Sequence, residues 1–154
     1  MKWYNIKNLS ESSTEVVIYD EIGTFGIDSK TFIEELANVP KENEILLRIN
    51  SPGGSVIDGL AIYDALRRTP QKITVRIEGL AASIASIIAM AGDEIIMSEN
   101  SLLMIHNVWG GETGDSKDMR KAADLMDKMS SKLVSIYMAK SGKEESEIKS
   151  WMDA

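Results

Sequence analysis

The sequence predicts an α/β protein in which strands and helices alternate around a parallel sheet, folded as a single domain over residues 1–154. Three observations carry that prediction. Apolar β-branched segments (TEVVIY, EILLRIN, ITVRI, EIIM) alternate along the chain with stretches whose apolar residues recur at three- and four-residue spacing, the βαβ pattern. The run EILLRIN is almost continuously apolar, as expected of a strand buried on both faces. And 154 residues at 44% hydrophobic content suffice for one real core.

Taken in order, Thr14 to Tyr19 is the first expected strand, and Ser29 to Ala37 (SKTFIEELA) a helix capped by Ser29. Glu44 to Asn50 is the buried strand, and SPGGS the turn after it. Ser55 to Thr69 places Val56, Ile57, Leu60, Ile62, Tyr63 and Leu66 at helical spacing, and Pro70 stops the helix. Ile73 to Ile77 alternates as a strand, Gly79 reads as a turn, and a helix begins near Ala82. Glu94 to Met97 is another strand, and Ser101 to Ile105 (SLLMI) an apolar segment at whose end stands His106. From Ser116 to Lys140, a long helix spaces Ala122, Leu125, Met126, Met129, Leu133, Ile136 and Tyr137 along one face and ends at Ser141 and Gly142.

Composition removes several function classes. A formal charge of −7 disfavours a nucleic-acid partner, which would need a basic face to displace counterions. With no cysteine there is no disulfide, thiolate nucleophile or Cys-ligated zinc, and with one histidine no His-rich metal site. MKWYNIKNLS lacks the apolar centre of a signal peptide, and Leu80 to Ala91 falls short of the roughly 20 residues that span a bilayer. The expectation is a cytoplasmic protein without membrane contact.

Three features could carry chemistry. In GLAASIASIIAMAG, Ser83 falls in the first turn of a helix, where unbonded backbone N–H groups favour developing negative charge, while Ser86 lies deeper among Ala85, Ile87 and Ile88 and reads as packing. Taken alone, packing remains the stronger reading for Ser83 as well, because serines at strand-to-helix turns are common. In NSPGGS, two glycines directly follow a buried strand, so their backbone can approach a ligand and offer an N–H to an oxyanion; a tight turn explains them equally well. A lone His106 is more often structural than a base. Jointly, a serine at a helix start, a Gly-Gly loop after a strand and the only histidine make up most of a serine hydrolase site.

These same stretches carry a resemblance. GLAASIAS resembles the nucleophile motif of the Clp protease proteolytic subunit family, INSPGGSVIDGLAIYDAL its oxyanion loop and following helix, and LLMIHN its histidine segment. The three agree in order and spacing, the similarity runs from about Val16 to Ala154, and the shorter phage and prophage Clp-like proteases are the members it resembles in particular. The resemblance implies a spiral of ββα units, shared with crotonases, with a protruding strand-and-helix handle, here about residues 109–140. It implies Ser83 as nucleophile, His106 as general base and then acid, and the backbone N–H groups of Gly54 and Ile84 as oxyanion hole. An extended peptide substrate would add as a strand beside Gly53, Gly54, Ser55 and Val56, with no metal or organic cofactor. Handle helices would join heptameric rings into a chamber; Met119, Met126, Met129 and Met138 suit such an interface, or equally an internal core stripe.

Two departures accompany it. The family's long N-terminal axial loop has no counterpart, which leaves an AAA+ unfoldase partner open. Matching GKEESEIKSWMDA to the family's acid segment puts the triad carboxylate one position past Ala154 and Asp153 two residues before it. Asp153 substitutes, the acid is absent, or the chain is a truncated piece of a longer one. The rival readings are a crotonase-type acyl-CoA enzyme, which needs two backbone N–H groups but neither Ser83 nor His106, and a catalytically silent assembly protein.

Overall fold

The computed structural model describes residues 4–23 and 29–154, and the chain divides into two compact units, Met1–Met104 and Ile105–Ala154. The architecture agrees with the expected α/β class: a sheet of mostly parallel strands plus helices.

The first unit holds β1 (Tyr4–Ser10), β2 (Ser13–Tyr19), α1 (Ser29–Leu36), β3 (Glu44–Ser51), α2 (Val56–Arg68), β4 (Ile73–Ala82), α3 (Ile84–Ala89), β5 (Glu94–Met97) and β6 (Leu102–Met104). The sheet runs β1-β2-β3-β4-β5, with β6 also against β4. Among the described strands only β1 is antiparallel, hairpinned onto β2; the β2–β3, β3–β4, β4–β5 and β4–β6 pairs are parallel. Along β3, Ile45, Leu47 and Ile49 are buried while Leu46 and Arg48 are only half-buried. The expectation of a strand buried on both faces is therefore corrected: one face of β3 packs into the core, and Arg48 on the other is held by ion pairs to Glu15 and Glu78.

The core lies between the inner sheet face (Val16, Ile18, Leu47, Ile49, Val75, Ile77) and the helices (Phe32, Ile62, Leu66, Ile84, Ile87), all 1% exposed or less. Each such side chain contributes roughly 1.5–3 kcal/mol of burial. Helix α2 starts where the sequence places it: Ser55 is the N-cap and its Oγ accepts from Asp58 N. Helix α1 is capped differently from the expectation. Ser29 is already helical, and its N–H is taken by Asp58 Oδ1, 2.8 Å away, so the cap reaches across from α2.

The second unit contains α4 (Ser116–Ser141) and α5 (Glu145–Met152), which pack together. Asp115 caps α4 by accepting from Lys117 N and Asp118 N, and Gly142 ends it in the left-handed conformation at φ 70°. Leu133, Val134 and Tyr137 of α4 and Ile148 and Met152 of α5 are buried, whereas Met119 and Leu125 nearer the start of α4 are 45% and 53% exposed. The C-terminal half of the apolar stripe is thus internal, while in its N-terminal half Ala122, Met126 and Met129 are half-buried and Leu125 is exposed.

Candidate active site

Strand β4 runs five residues further than its alternation suggests, to Ala82, and turns directly into α3 at Ser83. Ser83 is not in the first helical turn but is the N-cap itself, at φ 54°, ψ −129°. Among the described residues only Ser83 and Asp20 combine a side chain with positive φ. Such backbone costs about 1–3 kcal/mol and persists only where its surroundings impose it. Here they do: Ser83 N donates to Met104 O at 2.9 Å, Ser86 N and Oγ donate to Ser83 O at 3.0 and 2.5 Å, and every residue of α3 is buried. With its backbone fixed on both sides, Ser83 turns a half-exposed side chain out of a sharp strand-to-helix elbow, the arrangement that presents a nucleophile. Ser86 is fully buried and bonded to that turn, in keeping with its packing role.

The Gly-Gly turn lies against this elbow. A Cβ on Gly53 (φ 97°) would come within 2.7 Å of both Ser83 Cβ and Ala82 O, and 3.2 Å of Ile84 N, so no other residue fits there. Gly54 forms a parallel bridge with Ile22: Ile22 N donates to Gly53 O at 2.7 Å and Ser55 N to Ile22 O at 3.0 Å. Because backbone groups alternate in direction along an extended segment, the Gly54 N–H faces the opposite edge. A Cβ on Gly54 would meet Ile22 O at 2.2 Å. Ile84 opens α3, so its N–H has no intrahelical acceptor. As α3 is six residues long, these two individual N–H groups, more than a macrodipole, are what the elbow offers an anion.

Two positioning features escape the sequence reading. Ser51 is buried; its Oγ accepts from Gly53 N at 3.1 Å and donates to Asp20 O at 2.6 Å, which holds the turn in shape. A serine two residues before a glycine turn is the available signal. Gly59, inside α2, would place a Cβ 2.1 Å from Ile84 Cγ1; a lone glycine within a helical pattern is the signal there.

The remaining candidates belong to the second unit. His106 is half-buried. Its neighbour Asn107 donates through Nδ2 to Asp153 Oδ1 at 2.6 Å and Met152 O at 3.4 Å, and Val108 N donates to Ser130 Oγ at 2.9 Å. Asp153 is the C-cap of α5 and exposed, held against the residue after the histidine. The structure therefore gathers Ser83, Ile84, Gly53 and Gly54 in one unit, with Ser55 and Val56 next in the chain, and sets His106 and Asp153 in the other. Among the described residues, no cluster of His, Cys, Asp or Glu could hold a metal ion, and no helix is long and apolar enough to cross a membrane.

A serine on a strained elbow beside two open N–H groups defines a site suited to acyl transfer. The Clp protease family model matches residues 1–154, and the chain belongs to that family, one of peptidases. It is 42% identical over 85 residues to the ATP-dependent Clp protease proteolytic subunit of Ligilactobacillus salivarius (strain UCC118), covering 54% of this chain and 43% of that one. The chain thus matches less than half the length of this curated relative.

Proposed function

We propose that the protein is a serine endopeptidase that cleaves extended peptides through an acyl-enzyme. Ser83 Oγ attacks the scissile carbonyl carbon as His106 takes its proton; the tetrahedral oxyanion is held by the N–H groups of Gly54 and Ile84. His106 then protonates the departing amine as the C–N bond breaks, and activates a water that releases the acyl group from Ser83. The substrate lies extended along Gly53, Gly54, Ser55 and Val56. Asp153 is the candidate acid within this chain, and its hold on Asn107 is what recommends it.

The observation that carries this reading is the positive φ of Ser83 against Gly53, a strain that packing alone has no use for. We assign residues 109–140 to a handle that joins copies into heptameric rings, and place the chain in the cytoplasm of a bacterial or phage-infected cell. Partnership with an AAA+ unfoldase stays open in this reading, and no cofactor enters it. Hydrolysis of a small peptide ester is the test. The rate should vanish in Ser83→Ala, drop by orders of magnitude in His106→Ala and hold in Ser86→Ala; equal activity of Ser83→Ala and the parent chain would exclude the mechanism.

A further inference from the structure

Strand β4 does not pair regularly along its whole length. Ile49 is level with Ile77 and Ser51 with Ala81, so β3 advances two residues while β4 advances four. Glu78, Gly79 and Leu80 thus oppose Asn50 alone, a bulge with two extra residues. Because the insertion is even, Ala81 faces the core as Ile77 does, and both are fully buried. The bulge is also where β4 changes partner: Thr74–Ile77 pair with β5, and Leu80–Ala82 with β6. Beyond it, the last β6 residue, Met104, accepts the Ser83 N–H.

We infer that Asn50 is a positioning residue for the nucleophile: its side chain plugs the β4 bulge and so fixes the distance and direction from which Ser83 reaches Gly53. Asn50 Oδ1 accepts from Leu80 N at 3.1 Å, occupying a backbone donor that the bulge has taken off the β3 ladder. Gly79 is what leaves room for it, since a Cβ there would lie 2.6 Å from Asn50 Oδ1. Two residues back on the same face of β3, Arg48 grips the first bulge residue, with Nε to Glu78 Oε1 at 2.8 Å and Nη2 to Glu78 Oε2 at 2.7 Å, while the Tyr19 hydroxyl donates to the same carboxylate. One strand thus holds both ends of the bulge, at Glu78 by charge and at Leu80 by an amide oxygen. Bulges beside active sites re-aim the strand that follows; here that strand ends two residues later in the elbow.

The inference rests on Ser83 being the nucleophile, and its test separates the two. Asn50→Leu removes the acceptor at similar size, and Asn50→Asp retains it. Well below the unfolding midpoint, the labelling rate of Ser83 by a fluorophosphonate should fall about a hundredfold per folded chain in Asn50→Leu, the scale of a misplacement near 1 Å. For a peptide ester, kcat should carry the loss with KM unchanged, and Asn50→Asp should restore most of it. Amide hydrogen exchange at Leu80 and Ser83 should accelerate in Asn50→Leu and not in Asn50→Asp. If Asn50→Leu lowers the unfolding midpoint yet labels at the parent rate, Asn50 is merely structural and the inference falls. If Asn50→Leu does not fold, Gly79→Ala takes its place, with the same slowing expected and an unchanged rate overturning the inference. Should the parent chain itself resist labelling, the serine-peptidase reading fails, and exchange at Leu80 and Ser83 alone decides whether Asn50 sets the elbow.

Discussion

Gly59→Ala puts the spacing of the candidate oxyanion hole under direct test. In an ordinary helix interior, replacing glycine by alanine stabilises by about 0.5–1 kcal/mol, since alanine gives up less backbone freedom. At Gly59 a Cβ would stand 2.1 Å from Ile84 Cγ1, 3.1 Å from Cγ2 and 3.2 Å from Cβ. Ile84 is 1% exposed and β-branched, so it has little rotamer freedom with which to withdraw. Overpacking of this kind costs about 1–3 kcal/mol. The clash outweighs the helix propensity, for a net loss of about 1–2 kcal/mol and a fall in Tm of about 2–8 °C for a chain of this size. Helix α2 begins just past Gly54 and α3 begins at Ile84, so pushing them apart also separates the two N–H donors. Thermal unfolding followed by circular dichroism reads the first effect, and kcat on a peptide ester the second. Ile84→Ala in the Gly59→Ala background should recover part of the kcat, because it removes Cγ1 and Cγ2, but not the Tm, because truncating a buried isoleucine costs about 2–5 kcal/mol. An unchanged or raised Tm for Gly59→Ala, with full activity, would refute the claim that this contact spaces α2 from α3.

Three further outcomes follow from the same geometry. Gly54→Ala, which must move a segment held at φ 144° with its Cβ 2.2 Å from Ile22 O, should lose about 10²–10³ in kcat, as removing an oxyanion donor does; steady-state kinetics on the folded variant checks it. The Arg48 guanidinium, hydrogen-bonded to Glu78, holds that carboxyl below its ordinary value of 4.5 despite the opposing effect of burial. Glu78 therefore contributes stability above pH 4.5 that is lost as pH falls through its depressed folded value, and Glu78→Gln should flatten that part of an acid-unfolding profile. Leu125, 53% exposed near the start of α4, should tolerate Asp in a monomer but not at an assembly interface, so if the proposed rings form, Leu125→Asp should convert them into smaller species by light scattering while leaving the fold intact.

Much of the scaffold could be read from the residues, and the exceptions have physical causes. The β3-turn-α2 segment is legible because the SPGGS turn, the apolar spacing and Pro70 agree on one answer. Strand β4 was cut short at Gly79, where a glycine reads as a breaker; the structure uses it inside the strand, to make room for Asn50. Strand β1 was missed because YNIKNLS has little β-branched content and owes its conformation to pairing with β2. Helix α5 was missed because only Ile148 and Met152 mark its buried face. At the site, the position of Ser83 could be read but not its φ, which arises from contacts with Met104 and Ser86 and with the Gly53 turn. The three family-like motifs identified the family correctly, since its model matches the whole chain.

The central claim, that the Ser83 elbow is a nucleophile site, is tested most directly by mass-spectrometric mapping after treatment with a fluorophosphonate. One adduct is expected, on Ser83, that disappears in Ser83→Ala, forms much more slowly in His106→Ala and survives in Ser86→Ala. An adduct that persists in Ser83→Ala, or a folded parent chain that forms none, would contradict it.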